Sequence, residues 1–277
     1  MKVAVRDLSV SYGALPVLDD LSLGVAPGEF VSIVGPSGCG KSTLFGALAG
    51  ILDGADVSGT VEVDGGPVRG APFGLMPQQD LLFPWRTVLD NTTLGLEVAG
   101  ASRREARERA RALFEPFGLA GFEQSRPDEL SGGMRQRAAL LRTVVGGRQV
   151  LLLDEPFGAL DALTRTGMQE WLESVRQRYG WTILLITHDV REAAFLSDRV
   201  LVLSPRPATV RREITVDLPR PRTRAVLTDP RLAAVETELL DTLRAPSAES
   251  SVDGITDGSG DGGYPGRAPS ARRKGSS

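Results

Sequence analysis

The sequence is poor in residues that build covalent cross-links and metal sites. Its 277 residues include one cysteine, Cys39, and one histidine, His188. A lone cysteine excludes an intramolecular disulfide, and it also excludes a metal or redox centre built on paired thiols. The absence of disulfides fits a reducing, cytoplasmic compartment.

Long hydrophobic runs are also missing. The longest apolar runs, residues 150–153 and 183–186, are far shorter than the roughly 20 residues needed to cross a bilayer. The N-terminal residues contain no apolar core of signal-peptide length, so we expect neither a signal peptide nor a membrane span. If the protein works at a membrane, a partner must hold it there.

The charge balance gives no general footprint for nucleic acid. The formal net charge is -3, whereas a nucleic-acid-binding protein usually has a basic face. An arginine-rich helix predicted after Ser102 has two interpretations, a nucleic-acid stripe or a solvated face. We favour the solvated face because Glu105 and Glu108 interrupt the basic run.

Strand and helix patterns alternate along most of the chain. The nearly continuous apolar run 30–34 is typical of a strand buried on both faces, and a helix over 42–49 ends at Gly50. A helical region covers about 90–147. Strands then return at 149–153 and 182–186 with a helix over 165–179 between them, and late strands follow at 200–203 and 214–216. This order predicts an α/β fold with a parallel sheet.

The last part of the chain has two sections. Asp229-Pro230 is typical of an N-cap followed by proline in the first helical position. An apolar stripe of Leu232, Val235, Leu239 and Leu243 then predicts a helix that packs on the core. From about residue 245 onward Ser, Gly, Asp and Pro dominate, and we predict a disordered tail over 246–277.

The segment after the buried strand 30–34 fits G-x-x-x-x-G-K-[ST], between a strand and a helix, where this pattern binds phosphate. Its glycines let successive N–H groups face one anion, and the helix N-terminus adds the positive end of its dipole. We predict that Lys41 reaches the β- and γ-phosphates of ATP and that Ser42 ligates Mg²⁺. Cys39 is interpreted as a small filler. The predicted ATP-binding residues of the loop are Gly35, Pro36, Ser37, Gly38, Cys39, Gly40, Lys41, Ser42 and Thr43.

Polar side chains follow two later strands. Asp154 and Glu155 end the apolar run 150–153, and His188 follows the strand 182–186. The carboxyl ends of parallel strands are where ligands bind in α/β sheets. We predict that Asp154 holds Mg²⁺ and that Glu155 is the general base for the attacking water. A lone histidine is more often a surface or core residue, but here His188 is placed to donate to the γ-phosphate or the water.

The segment Leu130, Ser131, Gly132, Gly133 and Met134 resembles the signature motif of the ABC ATPases, although many relatives carry Gln where Met134 stands. The other motifs of that family follow in order over about residues 3–220. Tyr12 resembles the A-loop aromatic that stacks on adenine, Asp161 the D-loop aspartate, and His188 the switch histidine. Gln78 resembles the Q-loop glutamine, a ligand of ATP and the metal, with Gln79 as the alternative.

The resemblance implies an ABC-type phosphate-loop NTPase fold. It has a RecA-like core, an N-terminal antiparallel β subdomain and an α-helical subdomain that carries the signature. We expect this domain to cover residues 1–222, with the helical subdomain at about 80–147 and a helical extension over 223–245. In the family, ATP is held between the phosphate loop of one subunit and the signature of another. The chain has one of each, so the resemblance implies a homodimer that uses ATP and Mg²⁺.

The subfamily resemblance concerns segments 82–91, 203–207 and 216–222. They are similar to the ATPases of nitrate, sulfonate, taurine and pyrimidine-precursor importers. This implies two transmembrane permease subunits, an extracytoplasmic solute-binding protein, a peripheral location on the cytoplasmic face of the membrane, and no nucleic-acid partner. Two alternatives remain open, a soluble ABC ATPase that acts on nucleic acid or ribosomes and a scaffold that binds ATP without turnover. The apolar residues Leu81, Leu82, Phe83 and Trp85 either receive the permease or pack inside the helical subdomain.

Overall fold

The computed structural model describes residues 2–68 and 72–245, and these residues contain two β-sheets. One sheet has four strands and the other has six. The tail predicted to be disordered, 246–277, lies outside the described residues.

The smaller sheet is antiparallel. Its strands are β1 (Val3–Tyr12), β2 (Leu15–Val25), β4 (Asp56–Val63) and β5 (Gly66–Pro67), in the spatial order β2-β1-β4-β5. The alternating runs 3–5 and 8–10 belong to the single strand β1. The two runs are joined through Asp7, which has a φ of 53° at an irregularity in the pairing. A residue in this conformation shifts the register and breaks the alternation that a regular strand would show.

The larger sheet carries the predicted parallel strands. They are β3 (Phe30–Val34), β7 (Val150–Asp154), β8 (Thr182–Ile186) and β9 (Arg199–Leu203). The parallel strand β6 (Phe73–Met76), which the sequence did not predict, pairs with β7, and β10 (Val210–Thr215) is antiparallel at the opposite edge. The strand order is β10-β9-β3-β8-β7-β6. Every residue of β3 and β8 is buried, as a strand covered on both faces requires. The neighbouring order β3-β8-β7 brings the ends of the three strands that precede the predicted polar residues to one edge.

Seven α-helices complete the described part of the chain. They are α1 (Lys41–Ala49), α2 (Val88–Val98), α3 (Arg103–Phe114), α4 (Gly132–Val144), α5 (Ala162–Tyr179), α6 (Val190–Leu196) and α7 (Pro230–Arg244). Short 3₁₀ turns occur at Pro127–Glu129 and Arg224–Thr228. Helix α7 begins at the predicted cap Asp229, and it buries Leu232 and Leu239 against the main core. Within residues 2–68 and 72–245 no helix combines the length and apolar character that a membrane span requires.

The arginine-rich helix α3 has a solvated, charge-paired face. Its N-cap Ser102 accepts a hydrogen bond from the N–H of Glu105, but the Glu105 carboxylate accepts from Arg109 and does not return to the cap. Arg104 lies 3.7 Å from Glu108 in a second pair along the helix. Intrahelical pairs at this spacing compete with a phosphate backbone for the arginines, which agrees with the solvated interpretation.

Candidate active site

A cavity of about 590 Å³ opens where the phosphate loop, β7 and β8 come together. It gathers residues from six segments that are far apart in sequence. The lining residues are Tyr12, Leu15, Val17, Ser37, Gly38, Gly40, Lys41, Ser42, Thr43, Gln78, Asp154, Glu155, Ile186, His188 and Arg206. The structure therefore brings together most of the side chains that the sequence predicted for the ATP site.

The phosphate loop connects β3 to α1 in a conformation that requires glycine at Gly40. This residue has a φ of 122°, and a Cβ there would lie 2.9 Å from side-chain atoms of both Val17 and Leu18. The loop carbonyls also organise Lys41, which is only 8% exposed. Its ammonium donates to the carbonyls of Gly35 and Pro36 at 2.9 Å each. The Lys41 ammonium is thus held beside the N-terminus of α1.

Cys39 faces the inside of the protein. Its side chain is buried, and its Sγ lies 4.0 Å from the Lys41 ammonium. A Cβ on Gly35 would come within 3.1 Å of this sulfur, so the thiol fills the space that the glycine leaves. Cys39, Gly35 and Pro36 are absent from the cavity lining, and they shape the loop from behind.

Asp154 ends β7 beside the phosphate loop, with an environment that opposes its charge. Burial raises its pKa, a hydrogen bond with Ser42 lowers it, the neighbouring Glu155 raises it and Lys41 lowers it. The net effect is a raised pKa. A carboxylate and a hydroxyl side by side offer the hard oxygen ligands that Mg²⁺ prefers. The donor set of Asp154 and Ser42 therefore fits this ion.

Glu155 is the point where three chain segments meet. Its φ of 46° is rare for a residue with a side chain, and such strain is common where a structure fixes a reactive group. The amide of Gln78 donates to Glu155 Oε2 at 3.0 Å, and Nδ1 of His188 lies 3.3 Å from the same oxygen. Gln79 does not line the cavity, so the geometry favours Gln78 over Gln79 as the Q-loop residue.

The signature segment lies outside this cavity. Ser131 is exposed and caps α4, and its Oγ accepts from the N–H of Met134 at 3.3 Å. A Cβ on Gly133 would lie 3.0 Å from Thr164 Cγ2, so α4 begins in close contact with α5. Leu130 is buried in the core, and Gly132 follows the cap. In a single chain these residues contribute nothing to the cavity lining.

Asp161 is the N-cap of helix α5. Its carboxylate accepts from the N–H groups of Leu163 and Thr164, which starts α5 three residues earlier than the expected residue 165. Its hydrogen bonds to Thr164 are the main cause of its lowered pKa. The side chain is exposed at the protein surface, and it does not line the cavity.

A buried carboxylate supports the loop that carries His188. Glu192, in the first turn of α6, is 5% exposed, and its amide partner Gln169 donates to it at 3.2 Å. The pKa of Glu192 is raised to about 7, mainly by burial and also by the charge of Asp189. Hydrogen bonds from Thr187 and Gln169 and the charge of Arg165 act in the opposite direction. The carboxyl therefore changes its charge close to neutral pH.

This raised pKa predicts a pH-dependent stability. The folded state binds the Glu192 proton more tightly than the unfolded chain, so the stability is greatest in acid and falls as pH rises from 4.5 through about 7. Relative to Glu192→Gln, the wild-type protein should lose about 3 kcal/mol of unfolding free energy over this interval. Urea unfolding of both proteins at several pH values measures the difference. Parallel pH curves for wild type and Glu192→Gln would contradict the buried titration, and the exposed Glu108→Gln serves as control.

Four residues that line the cavity were not predicted from the sequence, namely Leu15, Val17, Ile186 and Arg206. The first three are apolar strand residues that no pattern separates from ordinary core. Arg206 belongs to a segment that carried only a subfamily resemblance. Its place in the cavity depends on the return of the chain after β9, which residue spacing does not reveal.

The fold and the site define a class, the phosphate-loop nucleoside triphosphatases, because the loop, the acidic strand end and the parallel sheet occur together. Residues 18–158 match the family described as ABC transporter, and the chain belongs to this family. It is an ATP-binding ATPase of the ABC type. The resemblance and the fold class predicted from the motifs are confirmed.

Relatives match along most of their length. Aliphatic sulfonates import ATP-binding protein SsuB 1 from Rhodococcus jostii (strain RHA1) is 50% identical over 242 residues, which cover 87% of this chain and 93% of the relative. Nitrate import ATP-binding protein NrtD from Synechocystis sp. is 42% identical, covering 90% of this chain and 97% of the relative. The solved dimeric structure of a post-hydrolysis state of the ATP-binding cassette MJ0796 bound to ADP and Pi has a TM-score of 0.66 at 28% identity. It covers 78% of this chain and 99% of that chain.

Proposed function

We propose that this chain is the ATPase subunit of a bacterial importer for a small anion, and that it binds MgATP in the cavity described above. The observation that carries the proposal is the convergence of Lys41, Asp154, Glu155, Gln78 and His188 on one cavity. In this assignment the loop N–H groups and Lys41 bind the phosphates, and Tyr12 stacks on adenine. Ser42, Asp154 and Gln78 are the proposed ligands of Mg²⁺, which neutralises phosphate charge when bound.

We assign the hydrolytic step to Glu155 and His188. Glu155 accepts a proton from the attacking water at Oε2, the oxygen that Gln78 and His188 already contact. These two contacts fix the direction of the carboxylate, which is what a general base needs. His188 is more than half exposed on the cavity side, and it is placed to donate to the γ-phosphate.

The same assignment requires a second subunit. The exposed Ser131, at the N-terminus of α4, presents a helix end suited to an anion, but it lies outside the cavity of its own chain. We propose that two chains pair head to tail, so that Ser131, Gly132 and Gly133 of each complete the ATP site of the other. The dimeric state of the related cassette supports this arrangement.

Replacing Ser131 with Asp separates the two faces of the proposed site. Asp is as good an N-cap as Ser, so α4 should remain folded, but its charge repels a γ-phosphate. We expect hydrolysis to fall by about 100-fold while ATP affinity of the isolated subunit stays within about twofold. Steady-state ATPase assays and equilibrium titration measure the two quantities. The matched control is Ser102→Asp, since Ser102 caps α3 with the same geometry and does not line the cavity.

The transport role rests on the relatives and on an exposed apolar surface. The relatives named as sulfonate and nitrate importer subunits cover nearly the whole of this chain. Leu81 and Trp85, just after Gln78, are 56% and 70% exposed, whereas Leu82 is buried in the core. We propose that Leu81 and Trp85 receive a transmembrane permease, and that Leu82 packs internally. Two permeases and an extracytoplasmic binding protein would complete the system, with this chain at the cytoplasmic face of the membrane.

Reconstitution tests this function directly. The chain is purified together with a transmembrane permease that associates with it, placed in vesicles and assayed with a solute-binding protein for uptake of an alkanesulfonate, taurine or nitrate. We expect ATP-dependent uptake of one of these anions and its loss in Trp85→Ala. Failure of the chain to associate with any hydrophobic subunit, together with ATPase activity stimulated by RNA or ribosomes, would overturn the importer assignment.

A further inference from the structure

The chain segment after β9 lies directly behind the phosphate loop. Leu203 ends this strand, and a Cβ on Gly35 would lie 3.1 Å from the Leu203 Cβ. The chain then reverses over residues 204–209, which we name the arginine turn. Ser204 donates its N–H to the carbonyl of Thr209 at 3.1 Å, and the Thr209 N–H returns to Ser204 Oγ at 3.0 Å. The turn is therefore closed by its own hydrogen bonds.

The arginine turn is also fixed to the strand β2. Ala208 is fully buried, and it donates its N–H to the carbonyl of Val17 at 2.9 Å. Its carbonyl accepts from the N–H of Asp19 at 3.1 Å. Val17 and Leu18 are the residues that pack against Gly40 of the phosphate loop. The turn and the loop thus share one rigid neighbour, which sets their relative position.

From the tip of this turn Arg206 reaches the phosphate loop. Its Nε and Nη2 both donate to the carbonyl of Gly38, at 2.9 and 2.5 Å. Two donors from one planar guanidinium define the direction of that carbonyl more strictly than a single hydrogen bond would. Gly38 itself has a φ of 73°, a conformation in which glycine is freer than other residues.

The direction of the Gly38 carbonyl decides which group the loop offers to an anion. This carbonyl and the N–H of Cys39 belong to one planar peptide and point to opposite sides. With the Gly38 carbonyl held by Arg206, the Cys39 N–H on the other side of the peptide donates to the Pro36 carbonyl at 3.3 Å, inside the loop. A flip of this peptide would turn the Gly38 carbonyl oxygen toward the phosphates. The oxygen and the phosphates carry negative charge, so they would repel each other.

We propose that Arg206 is a positioning residue that holds the Gly38–Cys39 peptide so that the Gly38 carbonyl stays turned away from the phosphates of ATP. This inference rests on the proposed role of the phosphate loop as the ATP cradle. It assigns a function to the segment 203–207, which the motifs of the family leave without one. The effect is local, because it acts through hydrogen bonds to one carbonyl.

The test compares nucleotides with and without phosphate. Arg206→Gln removes the charge and the fork, and we expect it to weaken ATP and ADP by about tenfold while adenosine affinity is unchanged. The tenfold loss should persist in high salt, since a hydrogen-bonded lock is short-ranged. Equal losses for ATP, ADP and adenosine would show a merely structural effect and would overturn the proposal. So would a loss that disappears in high salt, which indicates a diffuse charge, or no loss at all.

Two further variants complete the experiment. Arg104→Gln removes an arginine from the exposed face of α3, and it should leave all three affinities unchanged. Lys41→Ala separates this inference from the assignment of the site itself. If Lys41→Ala weakens ATP binding and Arg206→Gln does not, only the role of Arg206 is wrong. If neither does, the ATP site has been misplaced.

Discussion

Glu155→Gln is expected to lower ATP hydrolysis by about 10²- to 10⁴-fold, the usual contribution of a general base. The replacement keeps the size of the side chain, and it keeps a partner for Gln78 and for His188, which both contact Oε2. It removes the proton acceptor alone. ATP affinity should therefore remain within about threefold of the wild type.

The measurement pairs a steady-state phosphate-release assay with a nucleotide titration on the same protein. Glu108→Gln is the control, because Glu108 lies on the exposed face of α3 and loses the same charge. Wild-type turnover in Glu155→Gln would remove Glu155 from the mechanism. A loss of ATP binding as large as the loss of turnover would instead place Glu155 in the cradle.

Lys41→Ala should affect binding and turnover together. Lys41 is almost fully buried, and its ammonium is held by two carbonyls of the loop. Truncation of a buried, hydrogen-bonded charge that faces an anion weakens the interaction by about 100-fold or more. Lys41 also lowers the pKa of Asp154, so its removal leaves that carboxyl more protonated and poorer as a ligand for a cation.

A second lysine of the chain provides the control for Lys41→Ala. The chain has another lysine near its N-terminus, the exposed Lys2, and Lys2→Ala should leave ATP affinity unchanged. Titration with ATP at fixed Mg²⁺ gives the affinity, and phosphate release gives the turnover. Unchanged ATP affinity in Lys41→Ala, with the protein still folded, would contradict the placement of the phosphates at α1.

The sequence predicted the core of the site because parallel strands place their carboxyl ends together. Asp154, Glu155 and His188 each follow a continuous apolar run, and such runs are recognisable without a structure. The phosphate loop was also predicted from the sequence, because its glycines and Lys41 have a recognisable spacing. The resulting set of residues lines one cavity, and the strand order β3-β8-β7 explains why.

Other features depend on contacts that leave no periodic trace. The choice between Gln78 and Gln79 required the position of Glu155, which is 77 residues away from Gln78. Arg206 donates to the backbone carbonyl of Gly38, which is 168 residues away in the sequence. Every residue has such a carbonyl, so the sequence does not indicate this partner. The early start of α5 follows from the cap at Asp161, which the sequence analysis interpreted only as a D-loop residue.

The central claim is that one chain contains two halves of different ATP sites, and the oligomeric state of Glu155→Gln tests it most directly. Its mass in solution should be that of a monomer without nucleotide and that of a dimer with MgATP, since hydrolysis no longer releases the second subunit. Adding Ser131→Asp to the same chain should return it to the monomer. A Glu155→Gln protein that stays monomeric with saturating MgATP, even when transmembrane partners are added, would contradict the account.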